Sequence, residues 1–159
     1  MKKILVPITS LILLTGFDQL TKYLARHFLS ASPKVLIDGV FELRLTFNTG
    51  AAFGILKGMN WLFYVFAAIV LAAIVFFYKK YSNYPMLKVI RILMIFISSG
   101  IIGNLIDRIF IGSVTDFFYI SLIDFPIFNV ADIYISWSMV LLVILLIFKF
   151  KESDFNGPG

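Results

Sequence analysis

The 159-residue chain contains no cysteine, which excludes disulfides, thiolate zinc sites, a cysteine nucleophile and lipid attachment to a cysteine of its own. Charge is scarce as well. Only 14% of residues are charged, against roughly 25% in ordinary soluble domains, whereas 60% are apolar. A soluble domain of this length has too little interior to hide so much apolar surface, so the balance points to a membrane. His27 is the only histidine, which rules out a multi-histidine metal site and leaves one residue around which a serine–histidine triad would have to be built. Its place near the end of an apolar run suits a solvated interfacial histidine.

The few charges are unevenly placed. Lys2 and Lys3 precede the first apolar run, Lys79, Lys80, Lys88 and Arg91 surround the joint between the second and third, and Lys149 and Lys151 follow the fourth. The other two connections carry the acids Asp38, Glu42, Asp116 and Asp124. Because Lys and Arg are retained on the cytoplasmic side, both termini and the middle connection are expected inside, and the acidic connections outside. The net charge of +5 thus reads as topology, and no nucleic-acid partner is expected.

About 20 apolar residues cross a bilayer core. Runs of that kind occupy 4–28, 59–78, 87–106 and 133–148, within a single domain spanning 1–159. With a helix starting near Ile4, Pro7 falls in the first turn, where its missing donor costs nothing. Lys2-Lys3 before an apolar run also suits a secretory signal. The run is long, however, holds Asp18 and Lys22 one turn apart and lacks a small-x-small cleavage site, so it is read as a retained helix. The tail from Glu152 carries no packing signal.

Between the first two runs the period changes. Phe41, Leu43, Leu45 and Phe47 alternate with Glu42, Arg44 and Thr46, as in a half-buried strand. Val35-Leu36-Ile37 precedes it, and Asp38-Gly39 between them predicts a two-residue hairpin. An outer sheet over about 35–47 follows, either capping the helices or cradling a substrate.

Polar residues inside the apolar background carry the chemistry. Asp116 and Asp132 lie between the third and fourth runs, where an ionised carboxylate at a bilayer edge is costly unless it is paired or used. Two such carboxylates suit shared-proton activation of water; both also suit helix N-caps, Asp132 above all. In the third run, Ser99 and Gly103 form a small-xxx-small pair for close helix packing. Gly100, Asn104, Asp107 and Arg108 share one helical face, as helix glue with an interfacial anchor or as part of a site.

Five motifs then stand in order: Asp18-Gln19-Leu20-Thr21-Lys22, Asn48-Thr49-Gly50-Ala51-Ala52-Phe53-Gly54, Gly103-Asn104-Leu105-Ile106-Asp107-Arg108, Val114-Thr115-Asp116-Phe117 and Phe128-Asn129-Val130-Ala131-Asp132. Together, over nearly the whole chain, they resemble bacterial lipoprotein signal peptidase, or signal peptidase II. The resemblance implies an all-α membrane protein with a small β element. Four transmembrane helices would carry an outer sheet cradle, with both termini cytoplasmic. It further implies an aspartic endopeptidase of the bacterial cytoplasmic (inner) membrane, with its active site at the outer face. Such an enzyme removes the signal peptide from prolipoproteins that bear a diacylglyceryl group on the cysteine that becomes the new N-terminus.

By the same resemblance Asp116 and Asp132 form the catalytic pair. Asn48, Gly103, Asn104, Arg108, Asn129 and Ala131 line the substrate site, and Asp18 and Lys22 support it. No metal or organic cofactor is implied. The partners are the lipidated prolipoprotein and membrane lipids, and the chain is expected to act as a monomer. Thr115 stands where a second Val is common, a variation expected to be without effect. Two other classes compete: a small proton-coupled transporter using Asp18, Lys22 and Asp116 as a relay, and a serine–lysine peptidase with Lys22 as base. The first lacks an internal repeat and the second a serine in a recognisable motif.

Overall fold

The computed structural model describes residues 2–50 and 58–150, so Ala51 to Gly54 of the second motif and the tail from Glu152 lie outside the described residues. The chain runs through α1 (Lys2–Phe28), β1 (Lys34–Ile37), β2 (Phe41–Asn48), α2 (Asn60–Lys80), α3 (Lys88–Phe110), β3 (Val114–Tyr119) and α4 (Val130–Phe148). Short 3₁₀ turns at Pro85–Leu87 and Ser121–Ile123 complete it. Asn60–Lys80, Pro85–Phe110 and Val130–Phe148 are each long and apolar enough to cross a membrane. Their outward side chains are large and apolar: Phe66 and Phe76 are 67% and 68% exposed, a surface that only lipid solvates without cost. In lipid every backbone polar group must be satisfied within the protein, which is why these runs are helical.

The helix α3 is central and packs against α1, α2 and α4. Small residues bring the backbones close. A Cβ on Gly100 would lie 2.5 Å from the Ala131 carbonyl oxygen, and one on Gly103 would run into the Asp18 carboxylate. At the other end of the bundle, Tyr81, Leu87, Ile90 and Phe150 form an apolar cluster. There Arg91 Nη1 donates to the carbonyls of Tyr81 and Tyr84, each at 2.7 Å.

Several boundaries differ from the sequence reading. The first helix begins at Lys2, which leaves Pro7 inside it rather than in the first turn. The third continues to Phe110, and the fourth begins at Val130, so the polar motif residues extend the apolar helices. The hairpin turn is longer than two residues: Val40 N donates to Ile37 O at 3.0 Å around Asp38-Gly39, with Gly39 at φ +66, and strand pairing resumes at Ile37–Phe41.

The sheet has three antiparallel strands in the order β1-β2-β3, and the third, Val114–Tyr119, was not expected as a strand. Pairing of β2 with β3 slips by one residue between Leu43 and Thr46. An unslipped register would set Leu45 against Asp116; the slip puts Thr46 there, with Asn48 on the diagonal. Phe47 therefore leaves the face it was expected to share with Leu43 and Leu45, and is 51% exposed. Leu43, Leu45 and Phe118 pack on Ala25, Leu29, Phe117 and Val130, which fixes the sheet to the ends of α1 and α4.

Candidate active site

Asp116 and Asp132 reach one place by different routes. Asp116 is a β3 residue, buried at 2% exposure, rather than part of a loop. After β3 the chain turns through Ser121–Ile123 and returns, and Phe128 pairs with Phe118, with N–H···O bonds of 2.8 and 3.0 Å. That return delivers Asn129 beside Asp116. Asn129, and not Asp132, is the N-cap of α4: its side chain accepts from Asp132 N at 3.0 Å, and Asp132, the third helical residue, accepts from Asn129 N at 3.1 Å through Oδ2. This reciprocal capping box holds Asp132 at the positive end of the helix.

Three asparagines aim their amides at the two carboxylates. Asn129 Nδ2 donates to Asp116 Oδ1 at 2.7 Å, and Asn48 Nδ2 to Asp116 Oδ2 at 3.2 Å. Asn104 Nδ2 donates to Asp132 Oδ1 at 2.9 Å. The orientation of each amide is fixed from behind by a group that only donates. The Asp132 N–H holds Asn129 Oδ1, the Gly50 N–H holds Asn48 Oδ1 at 2.9 Å, and Lys22 Nζ holds Asn104 Oδ1 at 2.8 Å. With each oxygen so engaged, the NH₂ group faces the carboxylate.

Behind this shell lies a buried ionic network. Lys22 and Asp18 are fully buried and paired at 3.0 Å, and Lys22 also lies 3.7 Å from Asp107. Asp18 Oδ1 accepts from Ala131 N at 2.9 Å, tying α1 to the start of α4. Asp107 Oδ2 accepts from Thr115 N at 2.8 Å, and Arg26 Nη1 donates to Thr115 Oγ1 at 2.7 Å. The Thr115 hydroxyl thus makes a contact that a Val there could not, immediately before Asp116. Arg26 and Thr115 were not singled out as site residues in the sequence, and Asp107 only as one residue of a polar helical face. Asp18, Lys22 and the Asp107–Arg108 anchor were the traces of this second layer in the sequence; the Arg26–Thr115 contact, between residues 89 positions apart, left none.

A cavity of about 800 Å³ opens on the pair, lined by Asp116, Asp132, Asn48, Asn104 and Arg108 among others. Asn129 and Ala131 are fully buried, and Gly103 is buried against Asp18, so these three act on the cavity from behind. Arg108 stacks on Phe63 with its guanidinium carbon 4.1 Å from the ring centroid, donates to Gly50 O at 3.1 Å, and has no partner for Nε among the described residues. Burial first, and the neighbouring Asp132 charge second, push Asp116 up to about 7, against the weaker pull of the Asn129 and Asn48 amides. A carboxyl that holds its proton near neutrality, next to a second carboxyl group, can give and take protons in one site. His27 is exposed and stacks on Tyr23, away from this pair. Among the described residues, no group of three His, Asp or Glu side chains is placed to hold a metal ion.

The sequence profile of the Signal peptidase (SPase) II family matches residues 10–148. A lipoprotein signal peptidase of Streptococcus pyogenes serotype M5 (strain Manfredo) is 38% identical over 151 residues, covering 94% of this chain and 96% of the relative. The corresponding protein of serotype M3 (strain SSI-1) matches with the same identity and coverage. A bacterial membrane enzyme solved by the in meso method at 2.3 Å superimposes with a TM-score of 0.81 at 30% identity, over 94% of this chain and 93% of its own. Another, at 1.9 Å, gives 0.80 at 31% identity, over 92% and 96%. The chain is thus a multi-pass membrane peptidase that belongs to the signal peptidase II family.

Proposed function

We propose that this chain removes the signal peptide from prolipoproteins carrying a diacylglyceryl-modified cysteine, cutting before that cysteine with water activated by Asp116 and Asp132. The observation that carries this reading is the convergence of the two carboxylates, in one asparagine-held arrangement, on the wall of a single large cavity. The ionised member of the pair takes a proton from water as the water oxygen bonds to the scissile carbonyl carbon. The protonated member gives its proton to the carbonyl oxygen. On collapse of the tetrahedral intermediate, the proton taken from water passes to the amine nitrogen as the C–N bond breaks, and a hydroxyl proton returns to the other aspartate.

In this scheme Asn48, Asn104 and Arg108 bind the substrate backbone in the cavity. Asn129, Gly103 and Ala131 shape the site from behind, and Asp18 and Lys22 support it. All four helices cross the bacterial cytoplasmic membrane with both termini inside, so the sheet and the cavity face outward. The lipid chains stay in the bilayer, and a single domain over 1–159 acts as a monomer. Purified protein should release the signal peptide from a synthetic precursor with a diacylglyceryl cysteine, and not from its unlipidated twin. No release from either, as a proton-coupled carrier would give, overturns the proposal.

A further inference from the structure

Lys22 is a fully buried cation that the proton transfers above do not use. It faces Asp18 at 3.0 Å on its own helix and Asp107 at 3.7 Å on α3. Arg26 on α1 takes the other oxygen of Asp107 at 3.7 Å, and Arg108 on α3 acts on both Asp116 on β3 and Asp132 on α4. Two carboxylates would already balance Lys22 and Arg26. Yet Lys22 spends a third contact on a neutral group, the Asn104 oxygen, at 2.8 Å.

That contact gives the aspartate pair a direction. With its oxygen held by an ammonium, the Asn104 amide presents NH₂ to Asp132 Oδ1. Asp132 Oδ2 receives the Asn129 backbone N–H at the first turn of α4. Both oxygens of Asp132 therefore meet donors that continue to a positive charge, one to the Lys22 ammonium and the other to a helix N-terminus. Asp116 lacks both. Its donors are the neutral amides of Asn129 and Asn48, on a strand inside the protein.

We infer that Lys22, acting through Asn104, is a positioning residue that breaks the symmetry of the pair, so that Asp132 is the ionised base and Asp116 the proton donor. This rests on the peptidase reading above, and the two fail differently. If that reading is wrong, the wild type releases no peptide. If the inference is wrong, the wild type cleaves and the behaviour described below is absent.

The test is the pH dependence of kcat and KM on the lipidated precursor. Lys22→Gln combined with Asp18→Asn removes a matched pair of buried charges and leaves Asp107 with Arg26. Asn104→Leu leaves the ion pairs in place and cuts the relay. In each, the acid limb of the kcat profile should move to higher pH by about one unit, and kcat at a pH on that limb should fall about tenfold. The alkaline limb should move less, because the pull of the Lys22 charge on Asp116 is weaker than the effects of burial, of Asp132 and of the Asn129 and Asn48 amides. A merely structural role would lower the amount of active protein and leave both limbs in place. An unmoved acid limb in either folded variant overturns the inference.

Infrared spectra supply a readout that needs neither of these variants nor turnover. At pH 6, Asp132→Asn should retain a protonated carboxyl band that Asp116→Asn lacks. The reverse result overturns the assignment.

Discussion

Asn129 and Asp116 meet through a 2.7 Å hydrogen bond from the Asn129 amide to Asp116 Oδ1, while the oxygen of the same amide caps α4 by accepting from Asp132 N at 3.0 Å. One side chain thus fixes a strand-borne carboxyl relative to a helix-borne one. The two aspartates, on different elements, are consequently held by one shared side chain.

Asp116→Asn and Asp132→Asn are nearly isosteric and should leave the fold intact. Each removes one member of the proton-sharing pair, so peptide release should fall by at least about a thousandfold, and the double variant should be little worse than either single one. Asp124→Asn is the control. Asp124 has a left-handed backbone (φ 48, ψ 43), which asparagine adopts readily, and its Oδ1 accepts from Tyr119 OH at 2.6 Å outside the cavity. Assays of the purified variants check this; substantial turnover by either dyad variant would refute the catalytic assignment.

Arg108→Lys keeps a charge but loses the planar group that stacks on Phe63 and reaches Gly50 O. Cleavage should drop about tenfold or more, with the thermal midpoint changed by only a few degrees. Unaltered kcat/KM would reduce Arg108 to an interfacial anchor.

Gly103→Ala should destabilise the protein by about 2 kcal/mol or more, because the new methyl group runs into the Asp18 carboxylate, which Lys22 and Ala131 N hold in place. Gly16→Ala in α1 is the contrast. Nothing lies within 4 Å of the added carbon, so helix propensity alone should raise stability by about 0.5–1 kcal/mol. Thermal unfolding in one detergent at one pH compares the two.

Stability should also depend on pH through Asp116. Its carboxyl is raised to about 7 in the fold and titrates near an ordinary carboxylate value in the unfolded chain. Between those values the folded state holds a proton that the unfolded state has released. Stability is therefore fully present below about pH 4, declines as pH rises towards about 7, and is level above it. Asp116→Asn should remove that slope and be the more stable form at pH 8. Peptidase activity of the wild type should fall above about pH 7, as the pair loses its shared proton. Unfolding midpoints from pH 5 to 8 check the first statement, and initial rates over the same range the second.

The absence of native cysteine makes topology directly readable. Ser32→Cys should react with an impermeant thiol reagent in cells whose outer barrier is opened, and Asn83→Cys only after lysis. Labelling in the opposite order would put the cavity on the inner face.

The apolar runs, the lysine clusters, the β2 alternation and the five polar motifs are local properties. They were legible in the sequence because hydrophobic period and residue type are written along the chain. On that basis the helices were placed to within a few residues, and the chain's membership of its family was recognised. Tertiary structure decided what depends on contacts between distant positions. The slip that sets Thr46 against Asp116 arises from strand pairing, which sequence alternation does not encode. That Asp116 lies on a strand follows from pairing of β3 with β2 on one side and Phe128 on the other. The capping role passed from Asp132 to Asn129 because the helix starts three residues before its apolar run. The Lys22–Asn104 and Arg26–Thr115 bonds exist only because α1 crosses α3 and β3 over separations of more than 80 residues. Sequence names the polar groups that a membrane protein must satisfy; only the packing of its helices decides which of them satisfy one another.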